Sequence, residues 1–307
     1  MNDVDRVKKL LTKEKSVFSD EEFRSDDFCI GLYDLDLISQ LRKTELDIIG
    51  IDTWYKSSYY NIPFTAYVCV DQYGCGVTLL ITITPSLSER YVRRSFNLFK
   101  NLLNEAGIYY SVDKYMVDAC DSFISFFERE NIPYLICRFH FLKAVNGRLN
   151  GKENSKLRGL IYSLLQTSSK DEYDKIRKQI GELDSKFSLY FEKQWDPLWS
   201  KINNAERTTT YALSNTNNYT EAAIRKLQNR INERSRKKSL SHCISQLINY
   251  LTQQTINENS KHITKSLEKA NIRLRNGKEM TDSVTVQSHE KGHYFVNNHQ
   301  VFLSKNN

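Results

Sequence analysis

The order of predicted elements, three strands, a helix, a strand, a helix and a strand, places the first half of this chain in the α/β class, as a mixed sheet flanked by helices. Three observations carry that expectation. A run rich in β-branched and aromatic residues begins abruptly at Asp47 and continues to Thr84. Two helical patterns then alternate with two short apolar runs up to Cys137, and from Phe141 onward strand signals give way to long polar helices.

Residues 1–46 are acidic and weakly patterned, with Asp20-Glu21-Glu22 and Asp26-Asp27, and read as a helical lead-in without a core of its own. Asp47 to Lys56 is the first strand, and Phe64 to Val70 and Val77 to Thr84 are two more, joined by the Gly-containing turn from Asp71 to Gly76, which makes an antiparallel meander. Pro85 ends the third strand and Ser88 is placed to cap a helix whose apolar residues Val92, Phe96, Phe99 and Leu103 recur at helical spacing, with Gly107 as its stop. Tyr115 to Val117 is the fourth strand and ends at Asp118. Phe123, Phe126 and Phe127 mark a second helix, stopped before Pro133, and Tyr134 to Cys137 is the fifth strand.

Beyond this core, expected over residues 47–145, helices over 146–205 form an insertion. A polar segment then leads into a helix near Glu221 and a basic helix, together residues 206–255. A tail over 256–307 includes a β-hairpin between Thr285 and Leu303.

Composition narrows the function classes. With 307 residues, 40% hydrophobic, 11 Gly and 4 Pro, the chain can bury a core and is neither disordered nor collagen-like. No apolar run reaches the roughly 18 residues of a membrane span, and the charged start carries no secretory signal, so a soluble intracellular protein is expected. The six cysteines show no paired spacing and read as thiols in a reducing compartment. The net charge is +7, and residues 201–280 hold 15 Lys and Arg against 6 Glu and no Asp. Such one-sided basicity suits either a polyanion binder or a solvated helix surface.

Three acids stand where acids are costly without a partner. Asp52 lies inside the first apolar strand, Asp118 ends the fourth, and Glu221 opens a late helix. Ordinary structural roles are open to each: an ion pair with Lys56 or with an Arg of a neighbouring helix for Asp52, a helix cap for Asp118, and a favourable first-turn charge for Glu221. Together they form an oxygen cluster of the kind that holds Mg2+ or Mn2+.

The segments carrying these acids are Ile51-Asp-Thr-Trp-Tyr-Lys56 and its continuation to Pro63, Val70-Asp-Gln-Tyr-Gly74, Val117-Asp118, Cys137-Arg-Phe-His140 and Thr216-Asn-Asn-Tyr-Thr-Glu221. In this order they resemble the RNase H-like nucleotidyl-transfer fold, and residues 47–145 resemble the transposase domain of Mutator-like elements (MULE). The resemblance implies a five-stranded mixed sheet, an all-α insertion before the last catalytic helix, and a DDE triad of Asp52, Asp118 and Glu221 holding two Mg2+ or Mn2+ ions. Asp121, a turn into the following helix, rivals Asp118 as the second acid, but Asp118 directly ends the strand.

The implied activity is DNA cleavage and strand transfer at transposon ends. Its implied partners are terminal inverted repeats and target DNA, with assembly as a homo-oligomer on DNA in a eukaryotic nucleus. Cys137 and His140 are a family mark and stand as supporting residues near the site. A second ligand pair is missing nearby, so no structural zinc is expected. On the Glu221 helix, Lys226, Arg230, Arg234 and Lys237 line a face nearly opposite Glu221, suited to flanking DNA, while Arg225 lies one turn from the acid. Family members often carry an N-terminal zinc-binding domain and a C-terminal SWIM finger. Here His293 to Leu303 resembles only the opening strand pair of a SWIM domain, so an incomplete copy is expected. The competing expectation is a domesticated DNA-binding or regulatory protein without catalysis.

Overall fold

Apolar strands at the centre and short ones at the edges build the main sheet. In the computed structural model, residues 2–14, 17–19, 23–41, 47–55, 57–70, 76–109, 112–149, 154–167, 169–203, 218–231 and 238–253 are described, together with three strands between 286 and 302. The chain opens with helix α1 (Asp3–Lys13), strands β1 (Val17–Ser19) and β2 (Ile30–Tyr33) and helix α2 (Leu35–Ser39). The meander follows as β3 (Ile48–Trp54), β4 (Phe64–Val70) and β5 (Gly76–Ile83). Helix α3 (Glu89–Glu105), β6 (Lys114–Val117), α4 (Asp121–Arg129) and β7 (Tyr134–Ile136) complete this part.

The strand order is β1-β2-β5-β4-β3-β6-β7. β3, β4 and β5 pair antiparallel, whereas β6 joins β3, and β7 joins β6, in parallel. The sheet therefore has seven strands where five were expected. The two additional strands come from residues 1–46, expected to be helical: β2 pairs antiparallel with the free side of β5, and β1 with β2. Runs of three and four residues are too short for period-two alternation to announce them, and burial of Ile30 and Leu32 against the sheet holds β2 in place.

Alternation along the strands separates two cores. On one face Ile49, Ile51, Tyr67, Leu79, Tyr115 and Val117 meet Phe96 and Phe99 of α3 and Phe123, Phe126 and Phe127 of α4. Helix α3 stops as its sequence suggests: Gly107 takes φ 75°, a left-handed conformation that costs glycine little, and its N–H donates to the Asn104 carbonyl. The opposite face, with Trp54, Phe64, Ala66, Val68, Ile81 and Ile83, is covered by α10 (Asn218–Ile231) and by helix α11 over residues 240–253. Helix α11 buries Leu240, Cys243, Ile244, Leu247 and Leu251 in an i, i+3, i+4 stripe and carries no Lys or Arg. The basic helix expected after Glu221 is thus corrected to an apolar packing helix whose preceding segment holds the basic residues.

In chain order, β7 is followed by α5 (Arg138–Arg148), α6 (Ser155–Gln166), α7 (Lys170–Leu183), α8 (Ser185–Gln194), a 3-10 turn (Asp196–Leu198) and α9 (Trp199–Ile202) before α10. Polar caps delimit them: Ser169 accepts from the Glu172 N–H and Asp184 from the Phe187 N–H. Phe141 of α5 packs edge-on against Phe191, Trp195 and Trp199, so the insertion is anchored on the helix that follows β7. Residues 256–307 are a separate unit. Its described part is an antiparallel sheet of β8 (Val286–Glu290), β9 (His293–Val296) and β10 (His299–Phe302), one strand more than the hairpin expected there. Among the described residues no helix is long and apolar enough to cross a membrane.

Candidate metal and nucleic-acid site

Strand register brings the first residues of the site together. Gly50 of β3 pairs with Met116 of β6, and Asp52 and Asp118 each stand two residues beyond that pair. Successive side chains alternate faces, so both carboxyl groups leave the sheet on the Gly50 and Met116 side. In the neighbouring ladder Val117 pairs with Ile136, which makes Asp118 and Cys137 the next positions on β6 and β7. The Cys137 N–H donates to the Val117 carbonyl at 2.8 Å. Asp52, inside β3, and Asp118 and Cys137, just past β6 and β7, thus form a row toward the C-terminal side of three parallel strands, the edge at which α/β sheets bind ligands.

Helix α10 supplies the next residue. Its stripe of Ala223, Ile224, Leu227 and Ile231 packs into the core beneath β3, β4 and β5, which presents Glu221, in the first helical turn, to the same sheet edge. The approach of α10 to β5 depends on Gly76: a Cβ there would lie 2.6 Å from the Tyr219 carbonyl oxygen. Helix α5 starts directly after β7 with Cys137 as its N-cap, which puts His140 one turn along the helix. The His140 Nε2 lies 3.7 Å from Glu221 Oε1, and donor atoms of Cys137, His140 and Glu221 all fall within 4.8 Å of one another.

Electrostatics tie the two flanking acids to this group. Burial raises the Asp52 carboxyl to about 7, aided by the negative charges of Asp118 and Glu221 and opposed by the Thr53 N–H and Lys143. The Thr53 N–H donates to Asp52 Oδ1 at 2.7 Å. The Asp118 carboxyl is also raised by burial, against the pull of His140 and of the Cys120 N–H. Among the described residues Glu221 Oε1 and His140 Nδ1 are buried without a hydrogen-bond partner. Buried polar atoms left in that condition are rare and costly. A buried carboxyl raised by burial and by the charges of two neighbouring acids, beside a buried orphan carboxylate oxygen and an imidazole nitrogen, is a donor set that fits divalent cations.

Of the ordinary structural roles, the helix cap does not fall to Asp118. The N-cap of α4 is Cys120 rather than Asp118, and Asp121 is exposed in the first turn of α4, away from the row at the strand ends. His140 is not a hydrogen-bonded core imidazole, since 3.7 Å exceeds a hydrogen bond. Glu221 does lie in the first turn of its helix, where its charge also favours the dipole. Arg225, Lys226 and Arg230 are exposed on α10, and Arg234 and Lys237 lie outside the described residues, as does Lys56.

Three residues not anticipated from sequence surround the cluster. Lys143, one turn beyond His140 on α5, is the cation that lowers the Asp52 pKa, and its i+3 spacing from His140 was the available signal. Tyr55 is 42% exposed and its phenol is held above its ordinary pKa by burial and by the charges of Cys120 and Asp118, which locates it beside the site. Arg138, only 7% exposed, donates from Nε to the Ile202 carbonyl at 2.9 Å and from an Nη to the Leu165 carbonyl at 3.3 Å. Those carbonyls belong to the last turns of α9 and α6, so a cation at two helix C-termini locks the insertion onto the first turn of α5.

Neither a protein-family model nor a curated protein matches the chain. Its functional reading therefore rests on this geometry.

Proposed function

We propose that the chain is a divalent-metal-dependent DNA-cleaving and strand-transferring enzyme of the DDE transposase type, with Asp52, Asp118 and Glu221 as its acidic triad. The observation that carries the reading is the convergence of Asp118 and Glu221 on buried Asp52, whose carboxyl their charges help to raise, at the edge of the sheet where α/β folds bind ligands. Mg2+ or Mn2+ held by these carboxylates would supply nucleophile activation and charge stabilisation for in-line attack on a phosphodiester. Asp52 is oriented by the Thr53 N–H and balanced by Lys143. Tyr55, beside Asp118, and Phe139, against the His140 ring, are each about two-fifths exposed and offer aromatic faces on which nucleotide bases can stack. Exposed Arg225, Lys226 and Arg230 offer sequence-independent contacts to the phosphate backbone.

The test is Mn2+-dependent nicking of a supercoiled plasmid, and joining of a labelled DNA 3′ end to it, by wild type and by Asp52→Ala, Asp118→Asn and Glu221→Gln. Wild-type nicking that disappears in all three supports the assignment. Equal nicking by wild type and Asp52→Ala would overturn it.

A second reading has a specific observation in its favour: the closest donor grouping joins Glu221 to Cys137 and His140 rather than to the two aspartates. That arrangement suits a transposase-derived DNA-binding protein without catalysis. Salt-sensitive DNA binding with no nicking at any Mn2+ concentration would favour it.

A further inference from the structure

We propose that Cys137, His140 and Glu221 form a binding site for a borderline-soft divalent ion of the Zn2+ or Co2+ type, which fastens the first turn of α10 to the first turn of α5. This goes beyond the nucleotidyl-transfer reading and does not require it; the two have only Glu221 in common.

The local sequence accounts for half of the site. Cys137 is the N-cap of α5 and His140 lies three residues on, a spacing that turns both side chains to one side of the helix start. A thiolate at that N-cap also faces the positive end of the helix dipole. Tertiary packing adds Glu221 from a helix more than seventy residues downstream in the chain. Two ligands of a tetrahedral zinc ion, with bonds of roughly 2.0 to 2.3 Å, stand about 3.4 to 3.6 Å apart. His140 Nε2 and Glu221 Oε1 are 3.7 Å apart, and all three donor atoms lie within 4.8 Å, so adjustments of a few tenths of an ångström to about an ångström close the shell. The buried Glu221 Oε1, without a hydrogen-bond partner among the described residues, has a use as a ligand.

Donor chemistry identifies the class of ion. Sulfur and imidazole ligands select Zn2+ and its analogues over Mg2+, which prefers oxygen and water. Three protein ligands leave a fourth position open, in the manner of catalytic rather than closed structural zinc sites. Asp118, whose carboxyl senses His140, is the neighbouring oxygen donor. The outer shell is rigid on the α5 side, where Arg138 is fixed by two buried carbonyls and the Phe139 ring sits edge-on to His140 at 5.5 Å between centroids.

The experiment titrates the purified, chelator-stripped full chain with Co2+ and records its absorption spectrum. The expected result is a near-ultraviolet thiolate-to-cobalt charge-transfer band with the visible bands of a four-coordinate ion, saturating at one equivalent and erased by added Zn2+. Cys137→Ser should abolish the charge-transfer band. His140→Gln and Glu221→Gln should weaken Co2+ binding by more than the roughly 10- to 100-fold that loss of an outer-shell partner costs. Asp52→Asn and Cys120→Ser should leave the band in place.

The proposal is overturned if wild type shows no charge-transfer band, if the band survives Cys137→Ser, or if Cys120→Ser removes it. Circular dichroism accompanies each variant; should Cys137→Ser fail to fold, undiminished cobalt affinity in the folded His140→Gln and Glu221→Gln proteins overturns it equally. A wild type that shows the band but never nicks DNA would sink the nucleotidyl-transfer reading and leave this one standing.

Discussion

Replacing Asp52 with asparagine should stabilise the metal-free protein, and only above acidic pH. The carboxyl of Asp52 titrates near 3.8 in an unfolded chain and near 7 in the folded one, chiefly because it is buried and secondarily because Asp118 and Glu221 repel its charge. A raised acid pKa means that the native state holds the proton longer than the unfolded state. Below the unfolded value both states are protonated and the site costs nothing. As pH climbs toward 7 the unfolded chain ionises first, and stability falls by about 1.4 kcal/mol per pH unit. At pH 8 the full penalty is about 4 kcal/mol. Asparagine keeps the Oδ1 acceptor for the Thr53 N–H and removes the charge, so Asp52→Asn should recover up to about 4 kcal/mol at pH 8 and almost nothing near pH 4. For a unit of this size each kcal/mol moves the melting temperature by about 2 to 4 °C, which makes the expected gain about 8 to 16 °C. The assay is thermal unfolding of both proteins with a chelator, from pH 4 to 8.5, and again with Mn2+. Mn2+ should raise the wild-type melting temperature and narrow the gap. A variant no more stable than wild type at pH 8 in chelator, or a difference independent of pH, would refute the reasoning that the carboxylates crowd one another.

Three further outcomes are expected elsewhere. Gly76→Ala forces a methyl group to within 2.6 Å of the Tyr219 carbonyl, so it should displace the start of α10 and cost about 1 to 3 kcal/mol in denaturant unfolding; an unchanged denaturation midpoint would count against that close approach. Arg138→Met leaves the Ile202 and Leu165 carbonyls without their buried donor and should cost about 3 kcal/mol, with Arg138→Lys failing to restore it because one ammonium cannot reproduce the forked geometry. Asp3 accepts from the Leu240 and Ser241 N–H groups at the start of α11 and from the Tyr60 hydroxyl. Burial pushes its carboxyl up, but hydrogen bonds led by that of Ser241 hold it below its usual range. Its contribution is thus complete above the ordinary carboxylate value and is lost as pH falls through the folded one. Asp3→Ala should cost about 1 kcal/mol at pH 7, measured by urea unfolding, and much less at pH 2.5.

Much of the sheet was legible because its signals are local. The meander from Ile48 to Ile83, α3 with its Gly107 stop, and the strands ending before Asp118 and Cys137 are each specified by apolar alternation, helical spacing or a breaker within a few residues. Strands β1 and β2 were missed because three or four residues hold too little pattern, and only pairing with the free edge of β5 makes them strands. Past Glu221 the local charge density suggests a basic helix, whereas the apolar stripe from Leu240 to Leu251, buried against the sheet, is what forms the helix there.

The candidate site divides in the same way. Sequence alone could say that Asp52 lies inside a strand and that Asp118, Cys137, His140 and Glu221 lie at strand ends and helix starts, since those positions follow from local periodicity. It could not say who meets whom. Parallel register sets Asp52, Asp118 and Cys137 in a row, and the packing of α10 over β3 to β5, permitted by Gly76, carries Glu221 to His140 and Cys137. Lys143 and Tyr55 enter the cluster for the same reason. Coulomb forces and coordination bonds act over a few ångströms, and distances on that scale between residues far apart in the chain are set by the tertiary fold.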